Sequence, residues 1–479
     1  MTINCAITAL LLTIASSSIM ASSIEAELPE GSRNSIYIDG LSPSSSVLVS
    51  ENTDAYFPPA STLKVVTALA AKLSLGDDFR FETPLYRVGN DVVIQYSGDP
   101  SFSRDTLRMM LKEAKSSIGP SFGTVWLDDS VFSGYDRAVG WPWDILGVCY
   151  SAPASAITLD GNCVQGALYT NDNGTTRINI PAHQPIAATT TARAVTKTQQ
   201  KERHCDLELN VSQGNQYSLA GCVVSRTSPL PLKFAVASPE KFTRDVIRAE
   251  AKRLGITISG DIKTGRPKNT PSTPLFVQRS QPLPELLATM LRDSNNLYAD
   301  TLLKTIGATY YNQPGSFNNG TEALKAILRL QANIDFSRAV LEDGSGLSRN
   351  NRVTTSQMAQ VLHYIYDNDA TLNLIKLLPV AGTNGTLKYR QSMRKSPIKG
   401  ALTAKSGSLF GTYNMMGYGL DSAGKPQSIF VQMITDYHVV PSETKKPVVS
   451  PLTQFEQALY QQVIDYSLSL ERSNNKAQP

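Results

Sequence analysis

The chain has 479 residues, and at about 150 residues per domain this length predicts about three domains. Hydrophobic residues make up 41% and charged residues 18%, a composition that can bury a sizeable core and excludes a mostly disordered chain. Lys and Arg total 45 against 41 Asp and Glu, without a long basic run, so the charge gives no indication of nucleic-acid binding. The four histidines lack ligand-type spacing, and we predict neither a metal site nor a cofactor; they are His183, His204, His363 and His438.

The N-terminal segment is apolar from Ala6 to Met20 and continues in small residues up to Ala26. It is too short, and too interrupted by serines, to span a bilayer, which needs about 20 apolar residues. The pattern predicts a signal peptide over residues 1–26, although no Lys or Arg precedes the apolar stretch. Cleavage after Ala21 and after Ala26 both stay open.

Four cysteines follow this leader, and four cysteines permit three pairings. The short intervening loops favour two disulfides in an oxidising compartment, and four free buried thiols are the alternative. The favoured pairs are Cys149 with Cys163 and Cys205 with Cys222.

The first predicted elements are two short β-type stretches, 35–39 and 46–50, separated by Gly40 and Pro43 as in a hairpin. Two prolines then stop the chain just before an Ala-rich helical stretch that runs to Ala71. This arrangement places Ser61 near a helix N-terminus.

From about residue 86 to residue 274 the pattern changes to short strands and turns, with two similar helical units beginning at Phe102 and Phe242. A polar, proline-rich stretch over 264–274 predicts a linker out of this region. Helical periodicity dominates afterwards, strand patterns return near the C-terminal end, and an amphipathic helix comes last. The helical patterns cover 283–330 and 356–378, the strands 402–405, 413–418 and 428–434, and the last helix 452–466.

Three short motifs carry groups suited to acyl transfer. Ser61-Thr-Leu-Lys64 puts a hydroxyl and an amine three residues apart, on one face of a helix. Ser294-Asn-Asn296 lies between two helical segments, where a loop can present a hydroxyl and an amide. Lys405-Ser-Gly407 ends a strand, with a glycine that permits close approach of a ligand. Each motif alone is weak evidence; the order of the three together is not.

In the order S-x-x-K, S-x-N and K-[ST]-G, these motifs resemble the active-site signature of penicillin-binding proteins and serine β-lactamases. The long insertion between the first two is similar to that of the low-molecular-mass class C penicillin-binding proteins, a family of D-alanyl-D-alanine carboxypeptidases and endopeptidases that includes the DacB enzymes. Ser406 departs from the threonine of many relatives but keeps the hydroxyl. Further stretches that fit the family are 98–100, 140–141, 150–153, 343–349 and 382–387.

The resemblance implies an α/β (α+β) transpeptidase domain, with an antiparallel sheet, helices on both of its sides and inserted β-rich lobes. We expect the catalytic penicillin-binding domain over 27–85 and 275–479, joined through one sheet. The inserted region then covers 86–274, with a smaller lobe nested at roughly 99–165.

The resemblance also implies roles for the motif residues. Ser61 attacks the carbonyl between two D-amino acids, and Lys64 takes its proton, which requires burial and a neighbouring cation such as Lys405 to lower the lysine pKa. Ser294 relays a proton to the leaving amine and Asn296 holds the substrate amide.

The remaining roles concern substrate binding. Lys405 and Ser406 bind the terminal carboxylate, Gly407 lets the substrate approach, and the backbone N–H groups of Ser61 and Ser408 form the oxyanion hole. Leu409 lines an apolar subsite and Asp160 pairs with the ammonium of a diaminopimelate side chain. A turn-capping role is the alternative for Asp160.

The implied partners are peptidoglycan stem peptides and β-lactams as covalent inhibitors, in the periplasm of a Gram-negative bacterium. A β-lactamase and a non-catalytic penicillin sensor or cell-wall binding protein are the competing functions. The balance of carboxypeptidase to endopeptidase activity, the deacylation rate, the role of the inserted lobes, the oligomeric state and peripheral membrane association stay open.

Overall fold

The computed structural model describes residues 28–43, 45–439 and 449–477, so the predicted signal peptide lies outside the described residues. The described strands follow in chain order: β1 (Arg33–Gly40), β2 (Val49–Glu51), β3 (Tyr56–Phe57), β4 (Glu82–Val88), β5 (Asp91–Gln95), β6 (Ser121–Phe122), β7 (Val125–Asp128), β8 (Cys163–Thr170), β9 (Thr176–Asn179), β10 (Ala187–Thr190), β11 (Arg193–Val195), β12 (Leu207–Ser212), β13 (Gln216–Val224), β14 (Leu230–Ala235), β15 (Thr257–Ile258), β16 (Ile262–Thr264), β17 (Phe276–Arg279), β18 (Val353–Thr354), β19 (Leu402–Leu409), β20 (Thr412–Leu420) and β21 (Pro426–Thr435).

The described α-helices alternate with these strands and are concentrated between β17 and β19. They are α1 (Leu63–Leu75), α2 (Arg104–Ile118), α3 (Lys197–Arg203), α4 (Pro239–Leu254), α5 (Leu283–Arg292), α6 (Asn296–Tyr311), α7 (Phe317–Ala332), α8 (Thr355–Asp367), α9 (Asp369–Leu372) and α10 (Pro451–Ala477).

One antiparallel sheet joins the two ends of the chain, in the order β19-β20-β21-β1-β2. Strand β1 pairs with β21 along its whole length, from Arg33 opposite Thr435 to Gly40 opposite Ser428. The predicted N-terminal hairpin and the predicted catalytic sheet are therefore both confirmed.

Helices cover both faces of this sheet. Successive side chains of β20 point to opposite faces, and both sets are buried. Met416 and Tyr418 pack into a core formed with α1 and α5 to α8. Met415 points the other way, into a core with Phe455 and Leu459 of α10. The fold class is that predicted.

The insertion contains a second sheet, in the order β16-β7-β5-β4-β17, in which β5, β7 and β16 run parallel. Helices α2 and α4 pack on it around Phe102, Leu107 and Phe242. Residues 99–128 thus share a sheet and a core with 239–264, and the predicted lobe at 99–165 stays a prediction. Parallel pairing requires long crossovers, which bring distant segments into one sheet.

A further group of strands, here called the nested lobe, lies between residues 163 and 235. They make a sheet β14-β8-β9 and a second sheet around β13. Both predicted disulfides are present, with Cα atoms 5.3 Å apart for Cys149–Cys163 and 5.7 Å apart for Cys205–Cys222.

Candidate active site

Ser61 lies in a 3₁₀ turn, Ala60–Thr62, that leads directly into α1. The turn is held under strain, because Ala60 has a φ of 47°, a conformation that costs a residue with a Cβ about 1–3 kcal/mol. Asn414 on β20 holds the preceding segment by donating to the carbonyls of Pro58 and Pro59, at 2.8 Å each. The nucleophile segment is therefore fixed from the central sheet.

Lys64 lies one turn further along α1 and is fully buried. Its Nζ lies 2.9 Å from Ser61 Oγ, 2.6 Å from Asn296 Oδ1 and 2.7 Å from the carbonyl oxygen of Ser345. These three partners match the three N–H groups of an ammonium. The structure thus brings together the first and second sequence motifs, Ser61 and Lys64 with Asn296.

Burial lowers the pKa of Lys64 to about 8, while the nearby carboxylates of Asp300 and Asp343 act in the opposite direction. An amine with this pKa is neutral in an appreciable fraction at neutral pH, so it can accept a proton. Burial raises the pKa of Asp300 well above its usual range. The predicted lowering by burial is confirmed. The predicted lowering of the Lys64 pKa by Lys405 stays a prediction, whereas the charge of Lys64 lowers the pKa of Lys405.

Lys405 is the second fully buried lysine of the site. Its Nζ donates to Ser294 Oγ at 2.9 Å and to the carbonyl of Ser406 at 2.7 Å. Burial, together with the charges of Lys64 and Arg390, lowers its pKa well below the usual value. Ser294 has a φ of 56°, so backbone strain marks both hydroxyl-bearing segments of the site.

Strand β19 runs directly past the start of α1, and Gly407 is the point of closest approach. A Cβ at residue 407 would lie 2.8 Å from the Pro59 carbonyl oxygen and 3.0 Å from the Ser61 nitrogen. The glycine of the third motif is therefore needed for packing against the nucleophile segment, as well as for access by a ligand.

The residues around Gly407 line the same edge. Ser406 Oγ lies 3.0 Å from Thr386 Oγ1, in the stretch 382–387. Ser408 is exposed and Leu409 half-buried. These side chains lie beside the nucleophile segment, at the end of β19.

Asp160 is engaged within the insertion. Its Oδ1 accepts from the backbone N–H of Arg104 at 2.8 Å, and its Oδ2 lies 3.7 Å from Arg104 Nε. Asp160 and Asn162 both have positive φ, which fits the alternative of a turn residue. No hydrogen bond among the described residues joins Asp160 to the three motifs, and its substrate role stays a prediction.

Three supporting groups were missed by the sequence reasoning, although two of them had a signal. Asp300 is a lone acid on a buried helix, one turn after Asn296, and it accepts from the N–H groups of Gly344 and Ser345 at 2.9 Å each. Asn414 is a lone amide in an apolar strand. The Ser345 carbonyl is a backbone group. Ser345 lies in the stretch 343–349 that fits the family, but its residue type does not indicate this contact.

Two kinds of feature are absent from the described ranges. There, no three His, Cys, Asp or Glu side chains come together as metal ligands would. Among the helices that the structure describes, none has the length and apolar character that a membrane crossing requires.

Comparison with known proteins decides the family. The model of the D-Ala-D-Ala carboxypeptidase 3 (S13) family matches residues 19–459. The chain belongs to the S13 family. The chain is similar to the D-alanyl-D-alanine carboxypeptidase DacB of Haemophilus influenzae, with 35% identity over 462 residues and 94% of each chain.

Solved structures agree with this membership. The chain superposes on penicillin binding protein 4 (dacB) from Haemophilus influenzae with a TM-score of 0.85 and 34% identity, over 93% of this chain and 99% of that chain. The same protein complexed with a β-lactam gives a TM-score of 0.80 and 32% identity, with the same coverage. The S13 fold therefore extends over the insertion as well as the catalytic sheet.

Proposed function

We propose how this chain, a serine-type D-alanyl-D-alanine carboxypeptidase, performs its reaction. Ser61 attacks the carbonyl carbon between two D-alanine residues and gives its proton to neutral Lys64. The new ester bond joins Ser61 to the penultimate residue, the terminal D-alanine leaves, and water then hydrolyses the ester. The distance of 2.9 Å between Ser61 Oγ and the buried Lys64 Nζ carries this proposal.

The remaining groups of the site transfer a proton, stabilise the charge that develops in the transition state, or hold the substrate. Ser294, oriented by Lys405, relays the proton that Lys64 has taken to the leaving nitrogen, so Lys64 is neutral again when water attacks the ester. The N–H groups of Ser61 and Ser408 stabilise the oxyanion, an effect worth about 3 kcal/mol per donor in related chemistry. The Nδ2 group of Asn296 donates one of its two hydrogens to the Tyr150 carbonyl. Its second hydrogen can be donated to the substrate amide.

Recognition of the substrate carboxylate involves two kinds of group. Lys405 is fully buried and donates to Ser294 and to the Ser406 carbonyl. A bound carboxylate nearby favours its ammonium form, which then attracts the carboxylate without direct contact. The hydroxyls of Ser406 and the exposed Thr386 donate to the carboxylate directly. This division explains how a buried lysine can serve an anionic ligand.

The same site accounts for reaction with β-lactams. A β-lactam carbonyl presents the same electrophile to Ser61, and the Haemophilus influenzae protein of similar structure was solved with a β-lactam. We propose that penicillin acylates Ser61, that the chain works in the periplasm on peptidoglycan stem peptides, and that endopeptidase cleavage of cross-bridges uses the same residues.

The lifetime of the penicillin adduct tests this function against its alternatives. We expect stoichiometric adduct formation on the purified protein, measured by intact mass, with an adduct that outlasts many turnovers of a D-alanyl-D-alanine peptide. Rapid loss of the adduct with continuous penicillin hydrolysis indicates a β-lactamase. A stable adduct without any peptide turnover indicates a penicillin sensor.

Asp160 provides a separate prediction on specificity. Its carboxylate is partly exposed, at 27% of the side chain, and we propose that it binds the ammonium of a diaminopimelate side chain. Asp160→Asn keeps an oxygen for the Arg104 N–H but loses the charge, so turnover of diaminopimelate peptides should fall by about one to two powers of ten. Steady-state kinetics on the peptide, beside penicillin acylation, measure the effect.

Penicillin lacks that ammonium, so its acylation rate should stay unchanged in Asp160→Asn. Asp105→Asn, which removes a more exposed carboxylate from the same part of the insertion, is the matched control. Equal losses on both substrates, or no loss on either, contradict the proposed role of Asp160.

A further inference from the structure

The insertion contacts a catalytic group at the 3₁₀ turn Cys149–Ser151. The Nδ2 group of Asn296 donates to the carbonyl oxygen of Tyr150 at 2.7 Å. The other end of the same amide, Oδ1, accepts from Lys64 at 2.6 Å. The Tyr150 carbonyl therefore sets which end of the Asn296 amide faces Lys64.

This turn is closed by one of the two disulfides. Cys149 is bonded to Cys163, and Cys163 begins β8, where it lies opposite Ala235 of β14. Inside the turn, the Ser151 hydroxyl lies 2.8 Å from the Val148 carbonyl oxygen and is buried. The position of the Tyr150 carbonyl is thus tied to a sheet of the nested lobe.

Helix α6 contacts the same segment at a second point. Lys304 lies two turns after Asn296, and its Nζ donates to the carbonyl of Ala154 at 2.9 Å. The segment that carries Tyr150 is consequently held against α6 from one side and by the disulfide from the other.

We propose that the turn closed by Cys149–Cys163 is a positioning element for Asn296, and that Cys149, Tyr150 and Cys163 are positioning residues for the acylation step. When the disulfide is absent, the Tyr150 carbonyl is no longer fixed and the Asn296 amide is free to rotate. A rotated amide turns its N–H groups toward Lys64, which then loses one of its three acceptors. The inference rests on the proposed function, because it uses Asn296 as a group of the reaction.

The chain offers a matched control for this proposal. The disulfide Cys205–Cys222 closes a loop of similar length, with 17 residues of separation against 14. It joins the segment before β12 to β13, and Cys222 lies opposite Arg193 of β11. None of the described hydrogen bonds connects either of these two cysteines to the three motifs.

The experiment compares acylation of the full chain by a fluorescent penicillin in three proteins: wild type, Cys149→Ser/Cys163→Ser and Cys205→Ser/Cys222→Ser. Misplacement of a reacting group by about 1 Å can cost about 10²-fold in rate, so we expect a 10- to 100-fold loss for the first pair. We expect less than a twofold change for the second pair, with thermal melting of both variants recorded beside the rates.

Two further readouts separate positioning from general stability. In an Asn296→Ala background, removal of Cys149–Cys163 should cause no additional loss of acylation rate. In the otherwise wild-type background, the acid limb of the pH–rate profile should move to lower pH, because the ammonium of Lys64 is less well hydrogen-bonded and its pKa falls.

The proposal would be overturned if both disulfide variants lost the same fraction of the acylation rate, or if removal of Cys149–Cys163 left the rate unchanged. It would also be overturned if removal of Cys149–Cys163 lowered the rate of Asn296→Ala as much as it lowers the rate of the wild type. Where the double serine variant does not fold, Ser151→Ala loosens the same turn and the same readouts apply. If the wild type itself is not acylated, the proposed function fails rather than the positioning role.

Discussion

Ser61→Ala should abolish covalent labelling by penicillin and peptide turnover together. The substitution removes only the hydroxyl group of Ser61, and the oxygen of this group forms the acyl bond. Removal of a serine nucleophile in a comparable site costs about six powers of ten in turnover. Labelling followed by gel fluorescence, and turnover followed by product release, measure the two losses.

The control for this variant is Ser74→Ala, which changes a half-buried serine near the end of α1. We expect wild-type labelling from it. Labelling of Ser61→Ala at the wild-type rate would show that another residue carries the acyl group.

Lys64→Ala should lower the acylation rate by about three to four powers of ten, the upper range for loss of a general base. Neutral lysine is the active form, and burial sets the pKa of Lys64 to about 8. In the wild type, the acylation rate should therefore rise with pH and reach half of its maximum near pH 8. The residual acylation rate of Lys64→Ala should not show this rise near pH 8. Stopped-flow acylation between pH 5 and about pH 10 measures both.

Lys72→Ala is the matched control, because Lys72 is a buried lysine of the same helix that pairs with Asp77 at 2.6 Å. We expect its acylation rate and pH profile to match the wild type. A Lys64→Ala variant that keeps the rate, or keeps the limb near pH 8, would show that another group is the base.

The sequence was sufficient to predict the catalytic sheet and the contacts between side chains of the three motifs. Period-2 and helical patterns predicted the elements, and the spacing of Ser61 and Lys64 on one helix predicted their contact. The two disulfides followed from short loops. These features depend on local patterns or on side chains with distinctive chemistry.

Other features depend on contacts that no local pattern describes. The Ser345 carbonyl reaches Lys64 across 281 residues of sequence, and backbone groups have no residue type to mark them. The parallel strands of the insertion are paired through long crossovers, so 99–128 and 239–264 share one sheet that no local pattern indicates. Lys405 and Ser406 were predicted to bind the carboxylate, and the complete burial of Lys405 is a feature that the strand pattern around it does not indicate.

Release of D-alanine from a peptide ending in D-alanyl-D-alanine is the most direct measurement of the central claim. We predict one D-alanine per peptide cleaved by the wild type, and complete inhibition once penicillin has labelled one equivalent of protein at the peptide that contains Ser61. D-Alanine release that continues at the full rate in the fully labelled protein, or an adduct mapped to a residue other than Ser61, would contradict the account.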